Sequence, residues 1–468
     1  MNAHATRAVA ILLLGCLGGC TSVPGSTPHE RPLPATELGL QGAAYTAPPA
    51  NWWTVLGDPQ LDRLEQEALA RNPSLSVALA RVKSAQEFAH MAGAANKPQV
   101  SANAAAAREL VSANWIYPPP FGGATFWDAS LGLNLSWNLD FWGRQSALID
   151  QSQRLAAAAG LDAAGSSQLI SSAVAQAYVE LTRAHDLEAI ADRAAEQRRR
   201  LRELTAQRVH AGLDTTVELR GAESNVAAID LEREQTRLAQ QAAIHALAAL
   251  IGRGADAYGS VEAPQLDLER ALALPEALPA DLLAHRPDIA AARLRVEAAR
   301  AGHAAAKASF YPNVNLAAFA GFEAIGFDKL FDSSSKEWMV EPAIHLPLFD
   351  AGLLRAEYRK AAAEVDAATG SYNETVLRAV RESADQISRI ASLDRQLADS
   401  QRSLAAAESA YALAEQRYGA GLSSYLSVLN AETQVLAARR QRVNLLADRT
   451  LARVALLVAL GGSFKETN

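Results

Sequence analysis

Gln207-Arg208-Val209-His210-Ala211-Gly212-Leu213 decides the fold of this chain, and it recurs as Gln416-Arg417-Tyr418-Gly419-Ala420-Gly421-Leu422. Each copy lies between two long stretches without proline, and an Ala-Glu pair follows each copy at the same distance. Glycine adopts the left-handed conformation without a Cβ clash, which lets a helix stop and the chain reverse. We therefore predict that Gly212 and Gly421 lie at the tips of two long helical hairpins.

Other landmarks of the sequence also occur twice, at nearly constant offsets. Pro73 and Pro287 are 214 positions apart, as are Pro98 and Pro312, whereas Gly212 and Gly421 are only 209 apart. The change of five residues falls between Pro98 and Gly143, where a proline-rich loop can accept an insertion. The pattern indicates an internal tandem duplication of about 210 residues.

The longest segments read as helix. No proline occurs between Pro120 and Pro264, and 144–210 contains only two glycines. At about 1.5 Å per residue this segment predicts a helix of roughly 100 Å, and 215–251 returns for roughly 55 Å. Helices of this length need lateral partners along their whole length.

Two segments per repeat change to a period of two, which is typical of strands with one apolar and one polar face. Residues 128–140 alternate clearly and residues 99–111 more weakly, and the second pair is 313–325 with 337–348. Strands of about ten residues suit a tilted crossing of a bilayer. A soluble, half-buried sheet is the alternative, and two matching hairpins that each lead into a long helix argue against it.

Four strands per chain cannot close a barrel, and an open sheet edge is not tolerated in lipid. The chain must therefore oligomerise. Two copies would give eight strands filled by their own side chains, and three copies would give twelve strands with room for a lumen.

The N-terminus reads as a targeting segment. Arg7 precedes a short apolar run, and Leu17-Gly18-Gly19-Cys20 resembles a bacterial lipobox, with cleavage before Cys20 and lipid on its thiol. Cys16 is a competing site, and an ordinary secretory signal is the other alternative. These are the only two cysteines, so no disulfide and no cysteine-based metal site is expected in the mature chain.

Composition excludes several classes of function. A net charge of −7 does not suit a nucleic-acid binder, and alanine-rich sequence with 6% aromatics suits closely packed long helices. The nine histidines form no metal-binding spacing, no phosphate-binding loop is present, and His210 and His303 are expected to be solvated or packed. The sequence predicts no enzyme, no metal site and no cofactor other than a lipid on Cys20.

The ordered set of motifs resembles the TolC family of outer-membrane factors, and within it the lipoprotein branch (NodT-type) of resistance-nodulation-division efflux systems. The motifs are Trp52-Trp53, Asp58-Pro59-Gln60-Leu61, Asn72-Pro73, Arg81-Val82, Pro98, the stretch 137–143 and the two tips. The resemblance implies a mixed α and β membrane protein and a homotrimer. A 12-stranded β-barrel in the outer membrane would continue as a periplasmic α-helical barrel with an equatorial domain. It also implies two partners, a periplasmic adaptor (membrane fusion protein) and an inner-membrane pump.

On this basis the chain divides as follows. We expect a signal peptide (1–19), a lipidated Pro-rich tether (20–50), equatorial and short helices (51–97), a transmembrane hairpin (98–142), a long helical hairpin with its tip near 210–214 (143–255), a linker with short helices (256–311), a second transmembrane hairpin (312–351), a second helical hairpin with its tip near 419–423 (352–462) and a tail (463–468).

The resemblance also assigns sites. Docking of the adaptor is expected at Ala211, Gly212, Leu213, Ala420, Gly421 and Leu422, although a plain helix turn would need the same glycines. The periplasmic gate is expected at Leu426 and Asn430, with Tyr418 nearby and Glu218 facing the same region. Relatives often carry aspartate where this chain has Asn430, so Leu426 is the better candidate for a steric plug. Its alternative role is core packing, because Leu422, Leu426 and Leu429 follow a heptad-like spacing.

The expected function is a passive exit duct for drugs or other small molecules in a tripartite efflux pump. A duct for type I protein secretion or metal export is one alternative. A structural, periplasm-spanning lipoprotein without a lumen is an alternative of another class.

Overall fold

The computed structural model describes residues 25, 27–40, 51–114, 116–270 and 286–462. Several predicted features lie outside the described residues: the signal peptide, Cys16 and Cys20, residues 41–50 of the tether, residues 271–285 of the linker and the tail 463–468. The chain divides into two compact units. The first comprises residues 1–32, 83–159 and 292–372, and the second comprises residues 33–82, 160–291 and 373–468.

Within the described ranges, the order of one short helix, two strands and two long helices occurs twice, and one further short helix precedes its first occurrence. The helices are α1 (Pro59–Arg71), α2 (Pro73–Ala94), α3 (Arg144–His210), α4 (Thr216–Leu250), α5 (Pro287–Ala308), α6 (Leu353–Gly419) and α7 (Tyr425–Ala459). The strands are β1 (Gln99–Leu110), β2 (Thr125–Leu139), β3 (Asn313–Ile325) and β4 (Lys336–His345). Helices α3 and α6 each contain 67 residues, and α4 and α7 each contain 35. The duplicated hairpins are thus equal in length in both repeats.

The first unit contains one antiparallel sheet with the strand order β1-β2-β3-β4. Gln99 pairs with Ser136 in the first hairpin, and Asn313 pairs with His345 in the second. Asn313 lies 214 positions after Gln99, and His345 lies 209 positions after Ser136, which are the two offsets of the sequence repeat. The register is therefore the same in both hairpins, and the five extra residues lie in the first hairpin's loop, as predicted.

The strand ends differ slightly from those expected. β2 begins at Thr125 rather than at residue 128, and β4 ends at His345 rather than at residue 348. Proline has no N–H to donate to a strand ladder, so Pro347 disfavours a continuation of β4. Every residue of β1 and β4 is exposed, which does not fit the alternative of a soluble sheet with one buried face.

The second unit is built around an apolar cluster. Trp52, Leu61 and Leu64 pack with Tyr178 of α3 and Leu247 of α4, and all five are almost fully buried. Asp58 caps α1, because its carboxylate accepts hydrogen bonds from the backbone N–H of Gln60 (2.8 Å) and of Leu61 (3.4 Å). The helix begins at Pro59, directly after this N-cap, where the missing N–H of proline costs nothing.

The described part of the N-terminal segment lies on α6. The backbone N–H groups of His29 and Glu30 donate to Asp366 Oδ1 (2.7 and 2.9 Å), and that of Leu33 donates to Asn373 Oδ1 (2.9 Å). Apart from a short 3-10 turn at Ala35–Glu37, this part has no helix or strand. This part of the tether is therefore not a folded domain, and its backbone is attached to a helix.

A carboxyl group is enclosed in the core of the second unit. Glu65 of α1 is 0% exposed, and its carboxylate oxygens make no well-formed hydrogen bond among the described residues, although the nearby Ser171 hydroxyl offsets part of the effect of burial on its pKa. Burial raises the pKa of Glu65 to about 8, and the nearby Asp62 carboxylate adds to the increase. The folded protein therefore holds this proton between the ordinary carboxyl range and about pH 8, whereas the unfolded chain releases it.

Because the folded state binds the extra proton, stability should fall as the pH rises through that window. We expect Glu65→Gln to remove this loss and to stabilise the protein by about 2–4 kcal/mol at pH 9 relative to wild type. Thermal unfolding of the purified protein at pH 5 and pH 9 measures the difference. Glu67→Gln, a less buried position on the same helix, is the control. An equal decline in the wild type and in Glu65→Gln would contradict the assignment.

No helix among the described residues is both long enough and apolar enough to cross a membrane.

Candidate functional site

Both repeats end their long helix in the same turn. Leu213 N–H donates to Arg208 O (2.8 Å) and Gly212 N–H donates to Val209 O (3.0 Å), which is the Schellman pattern. Leu422 and Gly421 make the matching bonds in the second repeat, at 2.8 and 2.9 Å. The φ angles are +71° at Gly212 and +75° at Gly421, so both positions need the left-handed conformation predicted from the sequence.

The side chains beside these glycines are available for contact. Leu213 is 66% exposed and Leu422 is 71% exposed, and Ala211 and Ala420 are also exposed. The six predicted docking residues therefore form two small, apolar, solvent-facing turns in the single chain.

The helices that follow the two turns begin differently. The N-cap of α4, Thr215, takes part in a capping box: its hydroxyl accepts from Val217 N–H (3.2 Å), and Glu218 accepts from Thr215 N–H (3.1 Å). The N-cap of α7, Ser424, makes no capping hydrogen bond. Glu218, predicted to face the gate, is half-buried and occupied in capping its own helix.

Tyr418 occupies a different position from the other gate candidates. It is 1% exposed and packs with Ala222 of α4 and with Tyr425 and Val428 of α7. Tyr418 therefore packs between the two hairpins, and in the single chain it does not present a free surface.

Three residues form a polar tie at this point. Tyr418 Oη donates to Asp214 Oδ2 (2.8 Å), and Arg208 Nε donates to the same oxygen (2.9 Å). The Arg208 guanidinium also lies 4.6 Å from the centre of the Tyr418 ring, a cation–π contact. The hydrogen bond from Arg208 lowers the pKa of Asp214, and burial raises the pKa of Tyr418. At neutral pH the tie joins a carboxylate, a guanidinium and a protonated phenol.

Sequence reasoning missed Asp214, Arg208 and their connection to Tyr418. A signal was present, because the two tips share Gln-Arg and Ala-Gly-Leu but differ at the positions that form the tie: Asp214 corresponds to Ser423, and Tyr418 corresponds to Val209. The Ser423 hydroxyl is buried and has no partner among the described residues. The second tip therefore supplies no equivalent of the Asp214 carboxylate to a tie of this kind.

A second connection lies farther along the helices. Arg198 of α3 donates to Glu432 of α7 (3.4 Å) and to the backbone oxygen of Asn225 (3.0 Å), and Asn225 donates to Tyr425 Oη (3.2 Å). Burial raises the pKa of Glu432, which is 2% exposed. Both connections join the first hairpin to the second.

The remaining gate candidates face solvent. Leu426 is 61% exposed and Asn430 is exposed, whereas Val428 and Tyr425 fill the core beside them. The alternative of core packing for Leu426 is therefore wrong within the single chain. The histidines behave as expected, because His210 is exposed and His303 stacks on Tyr358 with ring centres 4.5 Å apart.

Comparison with known proteins gives one consistent result. The family model described as outer membrane efflux protein matches residues 64–253 and 278–462. The chain is 34% identical over 370 residues to the fusaric acid resistance protein FusA of Burkholderia cepacia, which covers 77% of this chain and 70% of that protein. It is 29% identical over 404 residues to the multidrug resistance outer membrane protein MdtP of Shigella flexneri, which covers 82% of each.

A solved structure agrees over a similar extent. The outer membrane protein VceC of Vibrio cholerae superposes with a TM-score of 0.84 at 36% identity, covering 89% of this chain and 100% of that one. The fold class predicted from the sequence, long helical hairpins combined with two β-hairpins in an outer-membrane channel protein, is confirmed.

Proposed function

This chain belongs to the outer membrane efflux protein family and is an outer-membrane efflux channel rather than an enzyme, and from that premise we propose that three copies form one exit duct. One edge of β1 and one edge of β4 have no partner strand among the described residues. An open edge in lipid leaves backbone groups without hydrogen bonds, so the edges must pair with other copies. Three copies give twelve strands, which leave room for a lumen that eight strands would fill.

The two faces of the sheet support this assembly. The face proposed to contact lipid is predominantly apolar and includes Leu131, Leu133, Leu135, Trp137, Trp338, Val340 and Ile344. The opposite face, proposed to line the lumen, is predominantly polar and includes Asn103, Asn134, Ser136, Asn138, Asn315 and Glu341. Arg108 and Lys336 lie on the apolar face near the strand ends, where long basic side chains can reach the headgroups.

The charge on the interior face gives a direct test of conduction. Its ionisable residues are Glu109, Asp128, Glu323, Glu337, Glu341 and His345, and no Lys or Arg of the four strands lies on it. A pore lined with one sign of charge favours counter-ions. We expect purified trimers in planar bilayers to conduct, with a reversal potential in a salt gradient that shows cation preference.

The combined variant Glu337→Gln/Glu341→Gln should weaken this cation preference. Lys336→Gln on the outer face should leave it unchanged, because that side chain does not line the lumen. A folded trimer that conducts no current would overturn the duct and favour a structural lipoprotein.

We propose that the exposed turns at Gly212 and Gly421 dock a periplasmic adaptor (membrane fusion protein). Three copies would bring six such turns to one ring. A passive duct has no energy source of its own, so an inner-membrane pump of the resistance-nodulation-division type is the proposed partner that drives transport.

The gate is proposed to combine a steric constriction at Leu426 with the polar tie of Asp214, Arg208 and Tyr418. Leu426 and Asn430 are solvent-facing in the single chain, and three copies of Leu426 would supply an apolar constriction, with Asn430 contributing no charge. Tyr418 is proposed to act through its bond to Asp214, by holding the second hairpin against the first. Glu218 supports the start of α4 and is not needed as a plug.

We propose small organic molecules, including drugs, as the cargo. FusA and MdtP are named for resistance to fusaric acid and to multiple drugs, respectively, and each aligns with more than two thirds of this chain. Protein secretion of type I and metal export remain alternatives for the same duct. The three methionines of the chain provide no cluster that would favour metal export.

Lipid on Cys20 is proposed to anchor the chain to the outer membrane. The nine residues from Cys20 to His29 can extend about 30 Å, and Asp366, which binds His29, lies about 20 Å along α6 from its start beside the sheet. The lipid could therefore reach the membrane.

We expect Cys20→Ser to abolish incorporation of radiolabelled palmitate, whereas Cys16→Ser should retain it. Labelling lost in Cys16→Ser and kept in Cys20→Ser would move the site to Cys16. Labelling kept in both variants, or absent from the wild type, would contradict lipidation at either cysteine.

A further inference from the structure

The four strands contain only two glycines, and they face each other. Gly132 of β2 and Gly321 of β3 form a cross-strand pair in the centre of the sheet. Gly132 lies on the face proposed to line the lumen, because alternate residues of a strand share a face and Asn134 and Ser136 follow it at steps of two. Gly321 lies on the same face because it is paired with Gly132. Glycine inside a strand weakens it, and it often marks a place where another group approaches closely.

The approaching group is the ring of Phe319. A Cβ at Gly132 would lie 2.2 Å from Phe319 Cε2 and 2.5 Å from Cζ, distances that real atoms do not adopt. A Cβ at Gly321 would lie 2.9 Å from Phe319 Cζ and 2.3 Å from the backbone oxygen of Leu131. The ring therefore covers the glycine pair, as aromatic side chains do when they shield a strand glycine from a neighbouring strand.

This contact fixes the direction of a large side chain. Phe319 is on the polar, interior face, opposite Asn134 on β2 and Met339 on β4. Without the recess left by the two missing side chains, the ring could not lie against the sheet, and its other rotamers on this face point away from the wall.

We propose that the Gly132–Gly321 pair is a recess that keeps Phe319 out of the bore and so sets the width of the exit. The inference rests on the proposed trimeric barrel, in which three rings would otherwise project towards one axis. Phe319 is thus a residue that determines which sizes of cargo can leave, and Gly132 is the residue that positions it.

Gly132→Ala is the informative variant. The new methyl group meets chiefly a side chain, which can rotate, and its nearest backbone contact is the Ala320 oxygen at 3.2 Å. At Gly321 the methyl group would meet backbone at 2.3 Å, so a change there would disturb strand pairing itself. We expect Gly132→Ala to turn the ring into the lumen.

The measurement is exclusion of neutral polymers from single channels. Polyethylene glycols of increasing size are added on the exterior side only, and the largest size that still reduces the current reports the width of the exit rather than that of the periplasmic tip. We expect a smaller cutoff in Gly132→Ala and a cutoff restored to at least the wild-type value in Gly132→Ala/Phe319→Ala. Ala318→Val, which adds bulk to the opposite face of β3, should leave the cutoff unchanged.

Each outcome decides the question. An unchanged cutoff in an assembled Gly132→Ala trimer overturns the inference, as does a reduced cutoff that Phe319→Ala does not restore. If Gly132→Ala fails to assemble, recovery of the trimer in the double variant supports the recess, and no recovery overturns it. A wild-type trimer that conducts no current would instead overturn the proposed duct, which separates the two failures.

Discussion

Asp214→Ala is expected to leave the periplasmic end of the channel open. The Asp214 carboxylate accepts from both Tyr418 (2.8 Å) and Arg208 (2.9 Å), so one substitution removes both of these hydrogen bonds and leaves only the weaker direct contacts of Tyr418 with the first hairpin. Hydrogen bonds to a charged group are stronger than hydrogen bonds between neutral groups. If the tie forms only in the closed state, its loss shifts the ratio of open to closed channels by about tenfold or more. Single-channel conductance should rise, and cells should become sensitive to large antibiotics that the outer membrane normally excludes.

The second repeat supplies a matched control. Ser423 occupies the position that corresponds to Asp214, and its hydroxyl has no partner among the described residues, so Ser423→Ala should behave as wild type. Leu426→Ala separates the plug from the tie, because it removes bulk from a solvent-facing position without touching Asp214. Equal conductance in the wild type and in Asp214→Ala would show that the tie does not hold the gate.

The same contact defines a pH dependence. Arg208 lowers the pKa of Asp214, so the folded protein keeps this carboxylate ionised at pH values where an ordinary aspartate takes up a proton. The tie therefore contributes stability above the ordinary aspartate range, and it is lost only as the pH falls through the lowered pKa. Conductance should stay low through the pH range in which an ordinary aspartate takes up a proton and rise only below that range, and Asp214→Ala should lack that acid transition.

The long elements could be predicted from the sequence because their signals are local. A long run without proline and with few glycines favours a helix, and the tip glycines mark its end, so the limits of α3 at Arg144 and His210 match those expected. The repeat offsets of 214 and 209 also placed the insertion in the first hairpin loop, which the strand register bears out.

The polar tie could not be predicted in this way. Asp214 and Tyr418 are 204 positions apart, and their contact depends on how two hairpins pack together rather than on the period of either one. The same reason applies to Phe319, whose ring covers Gly132 on another strand only because of the particular register between β2 and β3. Side-chain contacts between repeats are decided by packing, which a single sequence does not display.

The two tip glycines give the other large expected effect. Gly212→Val and Gly421→Val, made together, should abolish drug export while leaving the trimer in the membrane and able to conduct. Both glycines have positive φ angles (+71° and +75°), where a β-branched residue is strained by about 1–3 kcal/mol per position. Beyond the adjacent residues, a new Cβ at either glycine would meet no atom of the described residues within 4 Å, so the damage comes from the altered turn rather than from a clash.

The turns join helices of 67 and 35 residues, and most of the packing of these helices, including the clusters around Tyr178 and Ile229, lies away from the turns. Folding should therefore survive while the docking surface changes shape. Export is measured as drug resistance in cells that contain the pump and the adaptor, and assembly as the yield of trimer and its conductance. Gly212→Asn with Gly421→Asn is the matched control, because asparagine tolerates the left-handed conformation and should retain export. Full resistance in the valine variant would remove the tips from the docking surface. Loss of resistance in both pairs would instead mean that the adaptor requires glycine itself, because any side chain at these turns would then block its approach.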